Sequence, residues 1–319
     1  MAGLTLNTGL SFSGGFAFTE APPTTNTEAW FGGGYSPYGS TVNRITYATD
    51  TNTASVRGPL SSVRYFLSAT GNTTNAWFGG GDGPGGGSGP KSTVNRITYA
   101  TDTATASVRG PLSGTKWGVG AAGNTTDGWF GGGYGDGSAV DRITYATDTA
   151  TASVRGPLSV SFYSSAAAGN YTYGWWGGAW TGSGFTTTVN RITYATDTAT
   201  ASVRGPLSLA RNRAAATGNS DYGWWGGGKY VPGPTYFSRV DRITYATDTA
   251  TASVRGPLSG SKSWLAAAGN TTDGWFGGGY GGGSTVDRIT YATDTTTASV
   301  RGPLSSAGVG IAAASNIQL

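Results

Sequence analysis

Residues 95–113 read NRITYATDTATASVRGPLS, and the last 18 of them, from Arg96, return letter for letter from Arg142, Arg191 and Arg242. Copies with one changed letter start at Arg44, where Asn52 breaks the match, and at Arg288, where Thr296 does. The six arginines, at positions 44, 96, 142, 191, 242 and 288, lie 52, 46, 49, 51 and 46 residues apart. A period near 50 means one continuous architecture, because each unit buries its apolar faces only against its neighbours.

The repeated text is a β-hairpin. TVNRITYAT (41–49) alternates, with Asn43, Ile45 and Tyr47 on one face and Val42, Arg44 and Thr46 on the other, which predicts a strand. Residues 50–53 form a turn opened by Asp50, whose carboxylate accepts from backbone two residues on. ASVRG (54–58) is the returning strand, and Pro59 suits its end. Upstream of the hairpin, AWFGG (29–33) is a short apolar strand running into glycines. Another strand is expected near 65–70, before a Gly71-Asn72 turn. In the order a (near 65–70), b (AWFGG), c (TVNRITYAT) and d (ASVRG), the unit has four strands with short connections. Four-stranded units of this period predict a β-propeller. Ile and Tyr of strand c and Val of strand d are expected to face neighbouring blades.

The chain ends bear on closure. The repeating text opens with b, c and d of a first unit and finishes with IAAASN (311–316), which aligns with LSATGN (67–72), a strand a. The last strand therefore completes the first blade and covers edges that would otherwise template aggregation. The expected fold is all-β: a six-bladed propeller of four-stranded antiparallel blades over residues 27–319, with residues 1–26 as an extension.

Composition agrees. Charged residues make up 11% of the chain, well under the usual quarter, and there are 56 Gly. Disorder is excluded by 11 Trp and 17 Tyr among many β-branched residues. The unit also resembles the kelch repeat. The matching residues are Trp77-Phe78-Gly79-Gly80, a Tyr-containing strand, the D-x-x-T turn at 102–105 and Pro111-Leu112. The aromatic that follows the turn in that family is replaced here in the region of Ser107 and Val108. The resemblance implies a propeller over roughly residues 27–319.

Variation is concentrated in two connections. The b–c loops read YSPYGS, DGPGGGSGPKS, YGDGSA, AWTGSGFTT, KYVPGPTYFSR and YGGGS, and the d–a loops read SVRYF, GTKWG, VSFYSS, LARNR, GSKSW and SAGVG. Antiparallel connectivity puts both sets on one rim and the constant Asp-Thr turns on the other. The variable loops hold Tyr35, Tyr38, Tyr65, Phe66, Trp117, Phe162, Tyr163, Trp180, Tyr230, Tyr236 and Trp264 among Gly, Ser and Pro. Rigid aromatics among adaptable small residues suit recognition, so these are the candidate ligand-binding residues. Unconstrained drift would also make loops vary.

Catalysis is not expected. There is no His and no Cys, so the usual triads and histidine metal sites are excluded. Glu occurs at positions 20 and 28 alone, and most Asp residues sit in repeated turns. GSGPKST (87–93) lacks the glycine before lysine that a phosphate loop needs. No cofactor and no metal are expected. Arg44 and Arg57 are read as structural partners of Asp50-type residues. Net charge is +4, and twelve of the 20 basic residues are such repeated arginines, spread by symmetry, which argues against nucleic acid as a partner. No apolar run approaches a membrane span, and residues 1–16 do not read as a signal peptide. The expectation is a non-enzymatic structural or interaction protein. It would be displayed on a particle such as a virion, or at the cell exterior, and bind a glycan or surface protein through the variable rim. Residues 1–26, with Phe16 and Phe18, would contact other structural subunits or pack on the ring. The alternatives are a cytoplasmic kelch-like scaffold and a secreted lectin.

Overall fold

Six four-stranded antiparallel sheets are arranged as the blades of a ring in the computed structural model, which describes residues 27–84, 89–135, 137–230 and 235–316. The N-terminal extension, and any anchoring role for it, lies outside the described residues. The second blade shows the pattern: a is Ser68–Gly71, b is Asn75–Gly79, c is Val94–Thr98 and d is Ser107–Arg109. Strand a lines the axis, and its small residues allow six strands to converge there, with Ala69, Ala121, Ala167, Ala216, Ala267 and Ala313 around the channel. Closure follows the sequence expectation. Ala312–Ser315 pairs with Glu28–Gly32, so the last strand of the chain is the first strand of blade one.

Two local readings are corrected. Strand c ends at Thr46, and residues 47–49 form a 3-10 turn instead of continuing the ladder. The turn swings Tyr47 out of the sheet and onto a neighbouring blade. Strand d is three residues long, and its valine faces solvent: Val56, Val108 and Val203 are more than half exposed. Strand d is the outermost strand, so no further layer covers it.

The constant hairpin is an inter-blade latch. Trp30 of blade one donates its indole N–H to Asp102 of blade two at 2.8 Å, and Arg44 Nη1 and Arg57 Nε approach the same carboxylate oxygen at 3.2 and 3.4 Å. Tyr99, from the turn that carries Asp102, stacks on the Trp30 ring at 3.9 Å. The backbone joins in, with Gly58 N–H donating to the Asp102 carbonyl and Ala106 N–H to the Pro59 carbonyl. The same contacts hold Asp148, Asp197, Asp248 and Asp294 in turn, and Trp275 with Arg288 and Arg301 finally hold Asp50. A second aromatic set packs on glycines. Phe78 lies against Gly32 of the preceding blade, and Phe31 against Gly277, so a side chain at those glycines would meet a ring.

Candidate functional site

The variable connections all emerge on one rim, as expected, and the backbone orders them into three concentric rings. The innermost ring is Phe66, Gly118, Ser164, Arg213, Trp264 and Gly310, one residue per blade just before each strand a. Phe66, Ser164, Arg213 and Trp264 hold φ between 56° and 60°, a left-handed conformation that costs a non-glycine residue about 1–2 kcal/mol. A closed circle of backbone hydrogen bonds fixes it. Gly118 N–H donates to Phe66 O, Ser164 to Gly118, Arg213 to Ser164, Trp264 to Arg213, Gly310 to Trp264 and Phe66 back to Gly310, all at 2.7–2.9 Å. The next residue outward is one of Tyr65, Trp117, Tyr163, Asn212, Ser263 and Val309. Each bridges in antiparallel fashion to the b–c loop of its own blade, at Asp82, Tyr134, Trp180, Lys229, Tyr280 and Tyr35 respectively. The two variable loops of every blade are thus laced together, and the rim is a built surface.

The left-handed inner residues throw their side chains over the channel mouth. Phe66 and Trp264 stack at 3.9 Å although their blades are not adjacent, because Gly310 of the intervening blade leaves room for the Phe66 ring. Tyr35, Tyr38 and Tyr65 pack beside them with ring centres 5.0–5.5 Å apart. Burial, and then the neighbouring Asp82, push the Tyr65 hydroxyl up to about 12. Beside this cluster a groove of about 420 Å³ opens, within the range of small-ligand sites. Trp117, stacked with Tyr134 at 5.4 Å, and Trp180, edge-on to Phe185 at 4.9 Å, line it together with Tyr163. Ser164, Asn212 and Arg213 supply its polar lining. The guanidinium of Arg213 lies 5.0 Å over the Trp264 ring. Desolvation pulls this arginine down from its usual range, opposed by the nearby hydroxyls of Tyr236 and Tyr280.

The structure therefore brings most of the candidate aromatics to the rim, in patches that meet at Trp117, whose ring centre lies 5.4 Å from Phe66 and 6.3 Å from Trp264. Tyr35, Tyr38, Tyr65, Phe66 and Trp264 belong to the mouth cluster, Trp117, Tyr163 and Trp180 to the groove. Tyr230 continues the groove wall beside Phe185 at 5.4 Å, and Tyr236 stacks with Tyr280 at 6.1 Å. Phe162 is corrected: it is fully buried in the hydrophobic core between blades and presents nothing to a ligand. The reason lies in what equivalent positions hold. Arg64, Lys116, Arg211 and Lys262 take the place of Phe162 in other blades, and all are buried. Lys116 pairs with Asp141 at 2.9 Å, Arg211 with Asp241 at 3.1 Å and Lys262 with Asp287 at 2.8 Å. Arg64 donates to the carbonyls of Gly80 and Thr93 and to Asn95. Much of the variation in the d–a loops is therefore core variation.

Sequence reading missed Tyr134, Phe185, Tyr280, Asn212 and Arg213. Tyr134 and Tyr280 follow a glycine run as Tyr35 does, which was signal enough to find them. Arg213 carried no such signal, since LARNR holds two arginines and the backbone alone decides that Arg211 is buried and Arg213 faces the mouth.

The class this geometry defines is a closed six-bladed β-propeller with one aromatic, variable rim. No protein-family model matches the chain, and no curated protein matches it. Among solved structures it is similar to YjhT, with a TM-score of 0.69 at 12% sequence identity, covering 86% of this chain and 94% of that one. At that identity the likeness is one of fold.

Proposed function

We propose that this protein is a non-enzymatic binding ring whose variable rim recognises a glycan. The observation that carries the reading is the aromatic groove lined by Trp117 and Trp180: concave, largely apolar with a few polar groups, and assembled from the loops in which the repeats differ. The constant residues support it from the other side. The twelve repeat arginines are held two to each of six Asp carboxylates at blade interfaces, spaced around the ring and not gathered into one patch as a nucleic-acid site would gather them. The Tyr35, Tyr38, Tyr65 and Phe66 cluster favours a second reading, a protein partner, because packed tyrosines of this kind are hot-spot material. Display on a particle such as a virion is part of the proposal, and it rests on the near-identity of the repeats.

A glycan array is the test. Binding by the wild type, and its loss in Trp117→Ala and Trp180→Ala variants whose unfolding transitions are unchanged, is the expected result. Binding that survives both substitutions would remove the groove from consideration. Purified particles lacking the protein would remove the display.

A further inference from the structure

Among the described residues, Arg213 differs from every other arginine. The repeat arginines, Arg211 and Arg239 each meet an Asp carboxylate, and Arg64 meets backbone carbonyls. Arg213 donates to neither a carboxylate nor a carbonyl, and its guanidinium meets the Trp264 ring instead. It is nonetheless half-withdrawn from water, packed over Trp264 at the inner end of the groove. A partly desolvated cation without a counter-charge is a cost that a complementary anion relieves. The groove around it has no aliphatic wall. Its aromatic faces suit the C–H face of a flat ring, and Ser164, Asn212 and the tyrosine hydroxyls suit ring hydroxyls. Its volume is that of a small-ligand site, while a protein partner needs a broad surface of about 800 Å² per side.

We infer that the groove binds an acidic polysaccharide, with a sugar ring against Trp117 and Trp180 and the anionic group on Arg213. This deepens the glycan reading and rests on it. A carboxylate and a sulfate both match the guanidinium fork.

Binding to polygalacturonate, to dextran sulfate and to neutral dextran separates the possibilities. At least one acidic polymer is expected to bind about tenfold or more tighter than neutral dextran, the scale of one charge-assisted hydrogen-bonded contact, and which one identifies the anion. Arg213→Gln should lose that preference. Arg213→Lys keeps the net charge of +4 but not the fork, so it should also lose most of it. Equal binding by Arg213→Lys and wild type would show general attraction of a basic protein to a polyanion and overturn the assignment. Equal binding of neutral and acidic polymers, or no binding of either acidic polymer, would overturn it too. If Trp180→Ala still weakened binding to neutral glycans, the glycan reading would stand without its acid. If it weakened nothing, both would fall.

Discussion

Trp275 in the sixth blade donates its indole N–H to the carboxylate of Asp50 in the first, at 2.9 Å and across 225 positions of chain. The pair fastens the ring, and it is chemically the same as the five latches inside the ring. Asp50→Ala leaves Trp275, Arg288 and Arg301 facing an empty site. Loss of a fully buried partner costs about 3–5 kcal/mol. Here about 2–3 kcal/mol is expected, because the two arginines keep a fifth to a quarter of their side-chain surface exposed. Asp148→Ala should cost the same. Urea denaturation of both variants checks this, and a much smaller loss for Asp50 would mean that the closing interface is looser than the rest.

The glycine that ends each hairpin is required by close approach. Gly110 donates its N–H to the Asp148 carbonyl at 2.8 Å, and a Cβ there would fall on the carbonyl oxygen of Ala150. Backbone held on both sides cannot retreat. Gly110→Ala should cost about 1–3 kcal/mol, while Gly114→Ala, four residues on in open space, should be nearly neutral. Thermal unfolding of the two variants decides it.

The chain contains its own control for the buried ion pairs. Lys116 and Asp141 are both fully buried in one blade, and the next blade has buried Phe162 and Asn190 at the equivalent positions. Lys116→Phe alone strands a buried carboxylate and should cost about 3–5 kcal/mol. Adding Asp141→Asn should return most of that loss. A double-mutant cycle by chemical denaturation reads the coupling directly, and additive losses would show that the two side chains act independently.

High pH should open the ring. Burial raises the hydroxyls of Tyr47, Tyr99, Tyr145, Tyr194, Tyr245 and Tyr291 above their ordinary value of 10. The folded chain then holds protons that the unfolded chain releases. Their stability contribution is complete below pH 10 and is lost as pH climbs above it toward the folded values. Arg64, drawn down to about 10 by burial, works in the opposite direction, as do Arg211 and Arg213, three groups against six. Alkaline titration of the tyrosinate absorbance should therefore show a late, cooperative step that coincides with loss of tertiary structure. Non-cooperative titration near pH 10 would contradict the burial.

How much of this was legible in the sequence depended on symmetry. Six copies of RITYATDTATASVRGPLS, four exact and two with one changed letter, with a final IAAASN that supplies the missing strand, determined the blade count and the closure. Identical text builds identical interfaces, and only a ring satisfies all of them. The same symmetry concealed what the segment does. Asp102 is held by Trp30, Arg44 and Arg57, which lie 72, 58 and 45 residues before it, and a repeated sequence does not say whether a contact runs within a unit or to the next. Composition marked the aromatic rim, yet Phe162 and Tyr163 look alike in sequence. One fills the core and the other lines the groove because adjacent residues of an extended segment point in opposite directions. In the same way Arg211 is paired and buried while Arg213 is left unpaired at the mouth. Which loops vary is plain from the repeats alone. The direction in which the backbone carries each side chain, and whether an opposite charge waits there, was decided only when the blades packed.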